Sequence, residues 1–289
     1  MKIYITLITL FLVSFSIAQK NIEIPTFETV KIHPDPLNSV SIAVTKTGDI
    51  FFEREKIKLN KLRAKMFHLL YTDIKNNTGI SPSFVTELVI DKDISYTKIL
   101  PVLNALRKMD VRYVFFACNS NSDKRVFKRK ITGFSYKLAR HKNPNSLIDK
   151  VFKQLSAKDD DDIKSIPPPP PPPELAPQFF KEKSQKIKTK IINVNHQSYT
   201  IDNQEMSATE LAKKLMEWNS KEKVFYLLQV SENCTYEDVV IPIAQLHIVL
   251  KKIRNKESIR IYGKEFSALG VEEEFELQNA IPFRMIIEK

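Results

Sequence analysis

The side chains best equipped for chemistry are five histidines (His33, His68, His141, His196 and His247), two cysteines (Cys118 and Cys234) and the acidic run Asp159 to Asp162. A zinc site needs Cys and His ligands in closely spaced pairs, and no histidine here has a Cys, Asp or His at metal-ligand spacing. His68 and His247 fall in helical stretches, where a histidine is more often a surface or core-edge residue than a catalyst. The four aspartates attract cations by charge, but consecutive side chains diverge instead of converging on one ion. Five dispersed glycines leave no phosphate-binding loop. Cys118 ends a strand-like run and Cys234 precedes a helix, without CxxC spacing, so two free, partly buried thiols are expected. No catalytic, cofactor or metal residue is therefore assigned, and the chain is expected not to be an enzyme.

The elements that carry these residues are arranged about a proline run, Pro167 to Pro173. Each proline lacks a backbone N–H and has a fixed φ, so the run is expected to form a polyproline II rod holding its flanks about 20 Å apart. On either side the same pattern recurs. Ile90 to Leu106 and Val230 to Leu246 each read as a strand end, a polar turn, a Ser or Thr N-cap, a tyrosine (Tyr96, Tyr236) and an amphipathic helix. Upstream, Ile57 and Leu62 match Met206 and Leu211 at a different offset, which implies an insertion in the first copy around Asn76 to Ser83.

In the first half, alternation predicts strands over 40–45 and 50–53 about a turn containing Gly48 and Asp49. Leu59, Leu62, Met66, Leu69 and Leu70 predict a helix ending near Lys75. A strand over 84–91, a helix over 96–109 and a strand over 112–118 complete a ββαβαβ order, followed by a strand over 130–138 and a short helix over 144–155. In the second half, strands are expected over 190–194, 199–201, 224–230, 258–262 and 283–288, with helices over 208–218 and 236–253. Pro101 and Pro242 are expected to kink the second helix of each half or to lie in its first turn. The fold class is α+β: two tandem ββαβαβ domains, each a mixed sheet with helices packed on one face, joined by a proline-rich linker.

Lys2, the apolar run Ile3 to Phe15 and the small residues before Gln19 read as a secretory signal peptide cut after Ala18. The competing reading is a retained anchor, but the run is shorter than the roughly 20 residues a spanning helix needs. The expected division is residues 1–18 as leader, 24–157 as first domain, 158–189 as linker and 190–289 as second domain. A chain of 289 residues, 43% hydrophobic, suffices for two such domains. A net charge of +11, with clusters at Lys124 to Lys130 and Lys181 to Lys190, points to anionic partners. An exported chain meets little nucleic acid, which sets that class aside despite Phe127, Phe134 and Tyr136 interleaving with basic residues.

The turn Gly48-Asp49-Ile50, the helix opening at Leu62, the stretch from Val89 through Asp91 and Tyr96 to Leu106, and Val111 to Ala117 together resemble the periplasmic domain of the ExbD/TolR family. The likeness spans about residues 40–120 and, more weakly, 190–265. It implies a small subunit of proton-driven envelope motors, with a short cytoplasmic tail, one transmembrane helix and a periplasmic ββαβαβ domain. The motif positions that it marks are Gly48, Asp49, Asp91, Tyr96 and Tyr236. The family's proton pathway depends on an aspartate in the membrane helix, whereas residues 1–20 contain no Asp or Glu.

The resemblance therefore implies a non-enzymatic accessory or adaptor in energised biopolymer transport, located in the periplasm or at the inner membrane. Its expected partners are envelope proteins: motor subunits or a TonB-like protein. An edge strand of either sheet offers unpaired backbone groups to an acidic or proline-rich extended segment, or to self-association. The alternative is an envelope structural or cell-wall-binding protein unrelated to transport.

Overall fold

The computed structural model describes residues 22–27, 31–32, 39–76, 85–111, 113–120, 132–139, 141, 144–156 and 187–288. The leader, the Asn76 to Ser83 insertion beyond its first residue, the aspartate and proline runs and most of the basic clusters lie outside these residues.

In chain order the first half comprises β1 (Thr26–Phe27), β2 (Lys31–Ile32), β3 (Ser39–Val44), β4 (Ile50–Phe52), β5 (Glu55–Ile57), α1 (Leu59–Asn76), β6 (Val85–Ile90), α2 (Tyr96–Lys108), β7 (Tyr113–Ala117), β8 (Asn119–Ser120), β9 (Thr132–Lys137) and α3 (Leu147–Ser156). The second comprises β10 (Lys188–Asn195), β11 (Ser198–Ile201), β12 (Gln204–Met206), α4 (Ala208–Lys221), β13 (Val224–Val230), α5 (Tyr236–Tyr262), α6 (Val271–Ala280) and β14 (Met285–Ile287).

Both sheets are mixed, with helices against one face. The first runs β2-β9-β7-β6-β3-β4-β5 and the second β12-β11-β10-β13-β14. From β5 to β7 and from β12 to β14 the pairings have the same sense: two antiparallel, then two parallel. The parallel pairs follow from the helices between them, because a crossover returns the chain in its original direction.

Turn chemistry sets the hairpins. Gly48 takes φ 92° between β3 and β4, and Asp202 and Asn203 take φ 50° and 64° between β11 and β12, as a tight hairpin requires. Helix starts are capped unequally. Ser207 and Glu210 form a capping box on α4, and Thr235 and Asp238 form one on α5, whereas Ser95 makes no side-chain cap on α2. Leu62, Met66, Ile99 and Val151 fill the space under the first sheet, and Leu211, Leu215, Val239 and Ile243 under the second, in one continuous buried cluster.

The structure departs from the sequence expectations at several places. Ser258 to Tyr262, read as a strand, is the last turn of α5, which runs for 27 residues until Gly263 caps it in the left-handed conformation. Ile259 and Ile261 alternate with basic and aromatic residues in a strand-like pattern, yet no glycine or proline falls between Ile243 and Tyr262 to end the helix sooner. Helix α6 was not foreseen, because its apolar Val271 and Phe275 point to solvent. Of the two placements expected for Pro101 and Pro242, the first turn is excluded, since both lie inside their helices beyond it. Pro242 leaves the Asp238 carbonyl without its helical donor, and the Tyr199 hydroxyl donates to that carbonyl at 3.1 Å instead. Finally, both cysteines are free as expected but fully buried.

Candidate functional site at the seam between the halves

Two of the five motif positions meet at the junction of the halves. The Tyr96 N–H donates to the Cys234 carbonyl at 2.9 Å, and the Tyr236 N–H donates to the Ile94 carbonyl at 2.8 Å. A third backbone bond runs from Glu237 N–H to the Lys92 carbonyl at 3.0 Å. The first N–H groups of a helix have no intrahelical acceptor, so each half completes the helix start of the other.

Beyond the helix starts, the seam is aromatic. Phe116 meets Tyr236 edge-on at 5.8 Å, and Tyr136 meets Phe283 edge-on at 6.3 Å. The His247 ring stacks on Phe283 at 4.3 Å and tilts over Phe134 at 5.4 Å. Its Nε2–H donates to the Ser135 carbonyl at 3.0 Å. Strand β14 reaches across as well, since the Ile287 N–H donates to the Tyr136 hydroxyl at 2.9 Å.

Between α2, the end of β9 and the end of β14 the seam leaves a cavity of about 250 Å³. Tyr96, Leu100, Leu103 and Tyr136 line it, with Arg107 and Glu288 among its polar residues. Arg107 is held by the Ala139 carbonyl at 2.7 Å and by Asn104 Oδ1 at 3.2 Å. A larger depression, about 640 Å³, lies between the β4–β5 hairpin and α1, but it contains none of the motif residues. The seam cavity is therefore the stronger candidate despite its smaller size.

The tyrosines and the Cys118 thiol of the seam are neutral. Burial pushes the Tyr136 hydroxyl up to about 12, against the opposing influence of Ile287 and Arg107. Burial, reinforced by Tyr136, raises Tyr96, and burial raises Tyr236 and the Cys118 thiol well above their ordinary values. Neutral tyrosines and thiols donate and accept hydrogen bonds but are poor nucleophiles. The Tyr236 hydroxyl is fully buried without a hydrogen-bond partner. The seam is thus a packed structural contact between the halves in its chemistry.

The other motif positions are elsewhere and shape turns. Gly48 closes the β3–β4 turn, and Asp49 accepts from Thr47 Oγ1 at 3.2 Å and pairs with Lys56 at 2.8 Å. The Lys56 ammonium holds the Asp49 carboxyl below its usual range, with burial opposing. Asp91 is buried and accepts from the Glu23 and Asp93 backbone N–H groups at 3.2 and 3.1 Å.

His196 has a partner that sequence spacing concealed. Its Nδ1 lies 3.0 Å from Asp238 Oδ2, although 42 residues separate them. Asp238 also accepts from the Thr235 and Gln197 N–H groups at 2.8 and 3.1 Å. Burial works to raise its carboxyl, but the donors from Thr235, His196 and Gln197 prevail and hold it below the ordinary value. His247, Tyr136 and Phe283 were likewise missed as seam residues, because they lie far apart in the chain. The one signal was the aromatic alternation of Phe134 and Tyr136.

Among the described residues, no three His, Cys, Asp or Glu side chains converge on a metal position, and no helix is long and apolar enough to cross a membrane. Residues 1–120 match the family model described as Biopolymer transport protein ExbD/TolR. This stretch, which ends with β8, is ExbD/TolR-like; the match does not extend over β9 or the second half. That family comprises non-enzymatic components of energised envelope transport that work with motor subunits. No curated protein and no solved structure matches the chain.

Proposed function

We propose that the protein is an accessory or adaptor subunit of an energised biopolymer-transport system of the cell envelope, starting from the ExbD/TolR-like character of residues 1–120. The observation that carries this reading is the reciprocal capping of Tyr96 and Tyr236. It fixes the ExbD/TolR-like unit against a second unit with the same strand order, so that one chain presents a paired platform. The two units are read as tandem copies of one domain, facing the periplasm after export and lying at or near the inner membrane. The absence of Asp and Glu from residues 1–20 supports a partner-binding role over the proton-carrying one.

Partners would be motor subunits or a TonB-like protein, engaged by strand addition. The outer edges of both sheets, β5 and β12, have exposed residues and backbone groups with no strand alongside them among the described residues. The net charge of +11 favours an acidic extended segment mainly by raising its association rate. Affinity capture of the tagged chain from intact envelopes at low salt tests the proposal. Motor subunits or a TonB-like protein should be recovered, and the recovered chain should begin at Gln19. Recovery of neither class of partner overturns the adaptor reading.

A further inference from the structure

The second half carries an arm that the first lacks. In the first half, residues 109–112 suffice to join α2 to β7; in the second, α5 is prolonged to Tyr262 and residues 263–284 intervene before β14. This arm is rigidly built. Arg254 donates from Nε and a terminal nitrogen to the Ile281 carbonyl at 3.0 and 2.6 Å, and its guanidinium lies over the Phe266 ring. Asn255 accepts from the Phe266 N–H at 2.9 Å, and Ser258 donates to the Lys264 carbonyl at 2.7 Å. A surface held this firmly keeps its shape when it meets a partner.

The arm also exposes large apolar side chains. Val271 is 86% and Phe275 66% exposed on α6, and Ile259 and Ile261 are about half exposed on α5. Val271 and Phe275 are four residues apart, hence on one face of α6, and Gln278 continues that ridge for roughly 10 Å in all. Helical geometry places Glu274 on one flank of the ridge and Glu272 and Glu276 on the other. Helix α6 contains four glutamates and no lysine or arginine, in a chain of net charge +11. Glu273 pairs with Lys264, Glu276 accepts from the Tyr262 hydroxyl at 3.2 Å and Glu274 from Gln278 Nε2 at 2.6 Å, while Glu272, Glu274 and Glu276 form no ion pair with a described residue and keep their charge for a partner.

We infer that α6 is a docking helix for a basic amphipathic segment of another polypeptide, with its apolar side chains on Val271 and Phe275 and its lysines or arginines against Glu272, Glu274 and Glu276. An apolar ridge with acidic margins complements apolar residues at helical spacing flanked by cations. Its carboxylates repel anionic lipid and acidic polypeptides alike. The inference is independent of the transport reading, since the arm lies outside the ExbD/TolR-like stretch.

The test uses the whole chain and a synthetic peptide with leucine at helical spacing and lysine elsewhere, followed by fluorescence anisotropy. Binding should weaken about tenfold in the double variant Val271→Ser with Phe275→Ser, the loss of a typical interface anchor. It should weaken several-fold, and lose its salt dependence, in the triple variant Glu272→Gln, Glu274→Gln, Glu276→Gln. The substituted residues are not in the core, so circular dichroism should be unchanged. Equal peptide affinity in wild type and either variant overturns the inference. So does wild-type binding to phosphatidylglycerol vesicles, or self-association in sedimentation, that the Val271/Phe275 variant abolishes, since the ridge would then serve a membrane or a second copy.

Discussion

Ser95 and Thr235 face each other in a single antiparallel bridge, each being the residue before its helix. Equivalent residues paired with one another, flanked by the exchanged bonds of Tyr96 and Tyr236, reproduce within one chain the self-complementary geometry of a twofold interface. Four consequences can be measured.

His247 joins the halves by a tilted ring contact with Phe134 and a hydrogen bond to the Ser135 carbonyl. His247→Ala should lower the free energy of unfolding by about 1–3 kcal/mol, seen as a lower urea midpoint at constant slope. An unchanged midpoint would mean that the halves do not pack this way in solution.

Tyr236 and Tyr136 should respond oppositely to loss of their hydroxyls. Tyr236→Phe removes a buried hydroxyl that has no partner and should leave stability unchanged or raise it by about 1 kcal/mol. Tyr136→Phe deprives the Ile287 N–H of its acceptor and should cost about 1 kcal/mol. Thermal unfolding of the two variants in parallel checks the difference in sign.

Ser41, Glu87 and Phe115 form one row across β3, β6 and β7, and the corresponding row of the second sheet is Ile191, Leu227 and Ile286. Glu87 is 8% exposed. Burial, with Glu53 nearby, raises its carboxyl from the ordinary 4.5 to about 7. Between these values the folded protein holds a proton that the unfolded chain has released, so stability should fall as pH rises through this window. Glu87→Gln should remove that decline and gain about 1–3 kcal/mol over wild type at pH 8. Parallel pH profiles of the two proteins would sink the assignment.

Gly133 sits where β9 passes β7. A Cβ there would lie 2.0 Å from the Phe116 carbonyl oxygen and 2.8 Å from the Phe115 ring. Gly133→Ala should therefore cost about 2–3 kcal/mol. Hydrogen exchange should locate the damage in the β7–β9 pairing, and undiminished protection of those amides would show that the strands can separate without penalty.

Most of the elements were legible because local physics dictates them. Gly48 and the alternation around it specify a hairpin, and Leu62 and Met66 an amphipathic helix. The ExbD/TolR likeness was carried by the same local stretches. What escaped notice depended on distant chain segments meeting. Nothing local marks His247 as a stacking partner for Phe283, or Asp238 as the acceptor for His196. The strand expected at Ser258 to Tyr262 failed for a related reason: alternation implies a buried face only where something covers it, and Ile259 and Ile261 remain half exposed.

Reciprocal capping also constrains the order in which the chain can mature. As it leaves the ribosome, α2 appears first, but the carbonyl that receives the Tyr96 amide belongs to Cys234. Strand β14, which supplies the N–H for Tyr136, follows later still. The first half must therefore wait with an unfinished helix start and an uncovered aromatic face until Cys234 and β14 have emerged. Such contacts between distant segments are slow to form and leave apolar surface exposed meanwhile. A chain truncated before Cys234 should thus depend on chaperones to stay soluble, and the dependence should lapse once β14 is included.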